Sequence, residues 1–351
     1  MNLFHQFDQV RRRQGRLLDM LGLIPAETPA RAVLSAPAFT LKAYGDTGGG
    51  GSPLLIVPAP IKRSYIWDLL PRVSVVRQCL RHGFTVYLMQ WEQPLSEQFG
   101  AGGLAAYADR YISTCLDAIE AELGARRAYL AGHSLGGTLA AIFAALHPER
   151  VRGLVLLAAP LRFGPEGGSF GPLIAAAPPA RLVTALFSNV PGTFLNTVGM
   201  LASPAGFLGA RWADLFGSMP DVQALQTHLL VERWTLDELP LARQLFEDVV
   251  ELLFRENRFM AGTLTLGGRN VAPAAVDAPI LSVIDAGSDL VPPTAVLPFH
   301  DAVGSSDKRV LWYKGDIGVA LQHVGMLVGR RAHRHVWPKI MQWMHSHCEL
   351  R

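Results

Sequence analysis

The sequence predicts an α/β fold: a mostly parallel sheet with helices on both faces and an inserted helical cap. Three observations predict it. Short apolar runs at 54–57, 84–88, 128–131, 154–157, 280–284 and 310–313 alternate with stretches of helical spacing, the pattern of a sheet covered on both sides. Between about 163 and 268 the rhythm gives way to apolar helical segments cut by prolines, with no clear strand. One apolar run, Ala128 to Ala131, leads straight into a glycine-flanked turn and an Ala-rich helix.

Taken in order, residues 1–30 read as an N-terminal helical extension ending near Pro25 or Pro29. The first part of the core, 31–162, holds a flexible turn at Gly48–Gly51 and then the strand Leu54–Val57. A helix over 73–82 is stopped by Gly83. Phe84–Leu88 is the next buried strand, and 104–123 is a helix with apolar residues on one face and charges on the other. The strand at 128–131, an Ala-rich helix to His147 and the strand Leu154–Leu157 complete this part. Residues 163–268 form the cap, above the strand ends where α/β proteins bind ligands. The second part of the core, 269–351, brings Ile280–Ile284, Val310–Tyr313 and a terminal helix.

Composition narrows the function. Of 351 residues, 50% are hydrophobic and 17% charged, enough for a large core. A net charge of +3, evenly spread, gives no reason to expect a nucleic-acid partner. The basic run Arg11–Arg13 reads as the solvated face of the first helix. Cys79, Cys115 and Cys348 have neither metal-ligand spacing nor the number for a disulfide framework, which points to a reducing cytosol. The first twenty residues lack the apolar stretch of a signal peptide. The run from Leu182 to Ala210 is free of charge, but Pro191, Gly192 and Pro204 divide it into short helices, so no transmembrane segment is expected. Nothing resembles a phosphate loop, a dinucleotide fingerprint or a zinc motif, and neither cofactor nor metal is expected.

The chemistry gathers at Gly132-His133-Ser134-Leu135-Gly136. A serine after a strand and before a helix, with glycine two before and two after, fits a sharp turn that lifts its hydroxyl above the sheet. Such an arrangement resembles the nucleophile elbow of the α/β-hydrolase superfamily. A serine hydroxyl needs a general base, and the base an orienting acid; in this fold they follow in the order nucleophile, acid, base. Asp289, in the loop past the strand 280–284 and before a rigid Val-Pro-Pro exit, is the expected acid, with Asp285 at the strand end its competitor. His323, after the last strand, is the expected base; His133 reads as packing under the turn. An oxyanion hole needs two backbone N–H groups. Leu135 supplies one; in the loop Pro58-Ala59-Pro60-Ile61 the prolines have none, and Ile61 is the first choice for the other.

The stretches Pro53–Pro71, Ser74–Arg77 and Gly83–Trp91 carry a more specific likeness, continued by Asn257-Arg258-Phe259, Gly267–Val271, Asp289–Pro293 and His323–Met326. From about residue 25 to the C-terminus the chain resembles the polyhydroxyalkanoate synthases, above all the short class III catalytic subunit. Three positions depart from that family: Ser134 where the synthases have cysteine, Gln90 where they have Asp, and Leu290 where they have His.

The resemblance implies 3-hydroxyacyl thioester or polyester substrates, CoA thioesters among them. It also implies a cytoplasmic protein, with a hydrophobic polymer granule or a second subunit as partner. A thiolate suits transfer of an acyl chain between thioesters, whereas the oxygen ester of an acyl-serine is resolved readily by water or an alcohol. Three readings stay open: a synthase-like acyltransferase, a serine hydrolase (a polyester depolymerase or an esterase), and a non-catalytic granule-associated homologue. The charge-free run 182–210 is read either as ordinary cap packing or as a surface for a granule, a homodimer or a lid.

Overall fold

The computed structural model describes residues 3–45, 50–94 and 102–348. Gly48 and Gly49 of the expected turn therefore lie outside the described residues. Ten strands are present among the described residues: β1 (Ala30–Ser35), β2 (Phe39–Tyr44), β3 (Pro53–Val57), β4 (Thr85–Trp91), β5 (Ala128–His133), β6 (Val151–Leu157), β7 (Leu264–Leu266), β8 (Arg269–Val271), β9 (Ile280–Asp285) and β10 (Lys308–Tyr313). Eight of them form one sheet in the order β1-β2-β4-β3-β5-β6-β9-β10. From β4 to β10 every neighbour is parallel, and β1 and β2 add an antiparallel edge.

The central strands are buried on both faces, so their side chains are apolar at odd and even positions alike. All five residues of β3 and all six of β5 are buried. One core lies on each side of the sheet. The helix Leu135–Leu146 fills the first; Val75–Arg81 and Trp337–Ser346 fill the second. Local chemistry fixes the helix ends. Ser74 accepts from the Arg77 amide at the start of Val75–Arg81, and Gly83 leaves it at φ 76°.

Two pairs of strands were not expected. β2 carries Thr40 and Lys42 at alternate positions, and β1 is largely exposed with only the short apolar run Ala32–Leu34, so neither reads as a long buried strand. β7 and β8 form a hairpin of three-residue strands inside the stretch read as purely helical. Gly267 and Gly268, at φ 55° and 77°, make its turn. Leu264, Leu266 and Val271 point from it into the core.

Between β6 and β9 the chain crosses the top of the sheet through the helices Phe170–Ala176, Ala180–Thr184, Gly192–Ala202, Ala210–Ser218, Val222–Thr235 and Arg243–Asp248. The N-terminal helix, Leu3–Met20, lies against them. Phe4 meets Phe187 and Phe194 edge-on, and Arg233 binds Asp19 in a two-pronged pair. Arg11 departs from expectation: it turns inward to the Thr235 carbonyl and Glu238, because the cap presents acceptors there, while Arg13 stays exposed. Of the charge-free run, Leu182, Leu186 and Leu201 are exposed. No described helix is long and apolar enough to cross a membrane.

Candidate active site

Ser134 sits between β5 and the helix Leu135–Leu146 at φ 54°, ψ −132°. That conformation is strained for a side-chain-bearing residue and is held by its surroundings. The Ser134 amide donates to the Leu157 carbonyl at 3.0 Å. A Cβ on Gly132 would stand 2.5 Å from the Gly137 Cα, and one on Gly136 would stand 2.1 Å from the Val57 carbonyl oxygen. The turn therefore exists only with glycine at both places.

Above Ser134 opens a cavity of about 630 Å³ that brings together Ser134, His133, His323, Asp285 and Asp289. Its apolar wall includes Ile61, Ile66, Trp67, Phe170, Leu195 and Phe207. Lys62, Arg63, Arg211, Lys314 and Arg331 supply positive charge around it. Lys62 is itself tied down, donating to Glu238 and to the Thr235 carbonyl. Burial draws its pKa below the ordinary value despite that carboxylate.

His323 is the second residue of the helix Gln322–Val328. Its carbonyl accepts from His133 Nε2 at 2.8 Å, and the two rings stand 4.5 Å apart. His133 is thus more than packing, because it ties the nucleophile turn to the backbone of the expected base. Only one signal in the sequence pointed there, its place beside Ser134. Burial lowers the His133 pKa to about 4. Burial, and then the neighbouring His133, take His323 well below its ordinary value too.

The expected acid is near but engaged elsewhere. Asp289 Oδ2 accepts from Ser203 of the cap at 2.7 Å. Its carbonyl accepts from both the amide and the hydroxyl of Ser169, each at 2.9 Å. Asp285, at the end of β9, accepts from the Gly287 amide, and burial raises its pKa. Neither carboxylate reaches His323, whose buried Nδ1 has no hydrogen-bond partner among the described residues. The expected Asp289–His323 contact is therefore not formed in this conformation.

Leu135 begins its helix, so its amide has no intrahelical acceptor. Ile61 lines the cavity, and its loop is pinned from the cap by Leu239 N–H to the Ile61 carbonyl. A second amide competes with it. The Ala59 nitrogen lies 2.9 Å from where a Gly136 Cβ would stand, close against the serine turn, and has no acceptor among the described residues. No cluster of His, Cys, Asp or Glu suited to a metal occurs among the described residues. Cys79 and Cys115 are buried in the cores and Cys348 lies by Tyr129; none approaches the Ser134 turn.

Comparison with known proteins agrees with the fold. The family model described as alpha/beta hydrolase fold matches residues 52–200. The poly(3-hydroxyalkanoate) polymerase subunit PhaC of Haloferax mediterranei is 34% identical over 85% of this chain and 59% of its own length. Against the more distant relative of the same name from Allochromatium vinosum the figures are 27% identity, 94% and 92%. This chain thus spans less than two thirds of the archaeal protein. Among solved structures, the monoacylglycerol lipase of Paleococcus ferrophilus superposes with a TM-score of 0.56 at 16% identity, covering 88% of this chain and 99% of the lipase, a likeness of fold. The chain is built on the α/β-hydrolase fold and is similar over most of its length to the polyhydroxyalkanoate synthases.

Proposed function

We propose that the protein is a synthase-like acyltransferase acting on 3-hydroxyacyl thioesters or esters through a covalent intermediate on Ser134. The observation that carries this reading is the strained Ser134 turn facing an apolar cavity that also holds His323 and Asp289. His323 takes the hydroxyl proton as Ser134 Oγ attacks the acyl carbonyl carbon. The developing oxyanion is met by the Leu135 amide and by Ile61 or Ala59. Collapse breaks the C–S bond, and the departing thiolate takes the proton from His323. The hydroxyl of a second hydroxyacyl thioester then gives its proton to His323 and attacks the acyl-serine; the C–O bond to Ser134 Oγ breaks, Oγ takes the proton back from His323, and the lengthened chain leaves as the thioester of the second group. Asp289 orients His323 once its carboxylate turns from Ser203.

A second reading is supported by Ser134 itself. An acyl-serine accepts water as readily as an alcohol, which would make the protein an ester hydrolase, such as a polyester depolymerase. On either reading we place the protein in the cytoplasm, at a hydrophobic polymer granule, with a second subunit or a second copy through the cap as its partner.

The test is to incubate the protein with 3-hydroxybutyryl-CoA and to follow CoA release and polymer separately. Polymer that disappears with Ser134→Ala supports the synthase reading; CoA release with free acid and no polymer replaces it with the hydrolase. If Ser134→Ala alters no activity on any acyl ester or thioester, both fail and a non-catalytic granule-associated homologue remains.

A further inference from the structure

Residues 314–321, between β10 and the helix that carries His323, have no regular structure. Gly315 and Gly318 stand at positive φ, and so does Ala320, at φ 57°. A left-handed alanine persists only where its neighbours hold it. Here the hold comes from the cap. Asp214, in the helix Ala210–Ser218, accepts from the Gly318 amide at 2.9 Å through Oδ1 and from the Ala320 amide at 2.7 Å through Oδ2. The same Oδ2 accepts from Nδ1 of His228, in the helix Val222–Thr235, at 2.7 Å. Both residues are buried, at 9% and 2% exposure. Gly318 lies so close to the second helix that a Cβ would stand 2.6 Å from the Ala224 carbonyl oxygen.

A buried carboxylate with three donors is a rigid fixture. Burial by itself would raise its pKa, but the hydrogen bonds from His228, Ala320 and Gly318 prevail and hold it below the ordinary value. Two of those donors belong to backbone five and three residues before His323. Neither Asp214 nor His228 is among the residues lining the cavity, so neither meets the substrate.

We propose that Asp214 and His228 are positioning residues: the cap sets the place of the base through this one buried carboxylate. The proposal rests on His323 being the base. Displacing a catalytic group by about 1 Å costs on the order of 100-fold in rate, so the contact bears on turnover rather than on binding.

The test uses Asp214→Asn, which turns one acceptor into a donor facing an amide, together with His228→Ala and His228→Asn. The asparagine amide donates from nearly the place of Nδ1, which makes His228→Asn the conservative variant. Three readouts apply: labelling of Ser134 by a fluorophosphonate, kcat and KM on p-nitrophenyl butyrate, and hydrogen exchange across 314–323. Asp214→Asn and His228→Ala should slow labelling and kcat by about 10- to 100-fold with KM within about 2-fold, and His228→Asn should recover most of the loss. Exchange at 318–321 should quicken about 10-fold or more while β9 is unchanged.

Labelling at the wild-type rate in Asp214→Asn, no rescue by His228→Asn, or exchange that quickens equally in β9 would each overturn the proposal. If the wild type itself is not labelled at Ser134, the catalytic reading fails. The exchange comparison then decides separately whether Asp214 holds the segment.

Discussion

Removing the Ser203 hydroxyl should make the enzyme faster and slightly less stable. Asp289 Oδ2 is held by Ser203 at 2.7 Å, while His323 Nδ1 is buried and empty. One carboxylate thus has two claimants, and in this conformation the cap has it. A hydrogen bond to a charged acceptor contributes about 1.5–3 kcal/mol when buried. Asp289 is exposed to the cavity, and solvent screening reduces that to about 1 kcal/mol. Ser203→Ala removes this preference and raises the share of Asp289 facing His323 by about 5-fold, since RT is about 0.59 kcal/mol. The assay is the pre-steady-state burst of p-nitrophenol from an ester substrate, which reads acylation of Ser134 directly. Its rate should rise by up to about 5-fold, with a loss of about 1 kcal/mol in denaturant unfolding. A fall of about 10-fold or more would refute the reasoning, because Ser203 would then be aiming Asp289 rather than diverting it.

Three further outcomes follow from the same geometry. Gly136→Ala drives a methyl into the Val57 carbonyl oxygen, so stability should drop by about 2–3 kcal/mol in denaturant titration, and fluorophosphonate labelling of Ser134 should be lost. His133 and His333, each lowered to about 4 by burial, bind protons in the unfolded chain before the folded one. Stability should therefore fall as pH drops through about 6.5 towards 4, by about 2 kcal/mol for each at pH 5, measured as Tm against pH; a flat profile contradicts it. Ser134→Cys, scored for polymer from 3-hydroxybutyryl-CoA, should form polymer more readily than wild type; no gain would show that more than the nucleophile separates this site from a thiol enzyme.

The parallel core was legible because β3, β5 and β6 are buried on both faces and must be apolar at nearly every position. β1 was not, since an edge strand largely in solvent offers only the short run Ala32–Leu34. The Ser134 turn was legible through Gly132 and Gly136, whose missing side chains are demanded by backbone within 3 Å. The partners of the acid were not. Ser203 lies 86 residues from Asp289, and nothing local to either marks the pair. Asp214 was equally silent: its three donors come from a helix fourteen residues away and a loop more than a hundred residues away. Nothing local in the loop distinguishes the amide of Ala59 from that of Ile61. The claim of Ala59 comes from the approach of Gly136 to β3, a contact across the sheet.

These long-range contacts share one origin, and it constrains how the site can open. Ser169 and Ser203 hold the acid loop. Asp214 holds the segment before the base. Leu239 and Glu238 hold the oxyanion loop through Ile61 and Lys62. All five belong to the chain between β6 and β9. A cap that lifted as one rigid lid would release three loops of the candidate site together and so dismantle the arrangement it uncovers. The bonds are unequal, however. Asp214 and Glu238 are buried, whereas Asp289 is exposed and has the alternative partner His323. Of these contacts, withdrawal of the segment about Ser203, with Asp214 and Glu238 kept in place, would break the least buried. That withdrawal would leave Asp289 free to turn to His323 and would widen the cavity, which Ser203 lines.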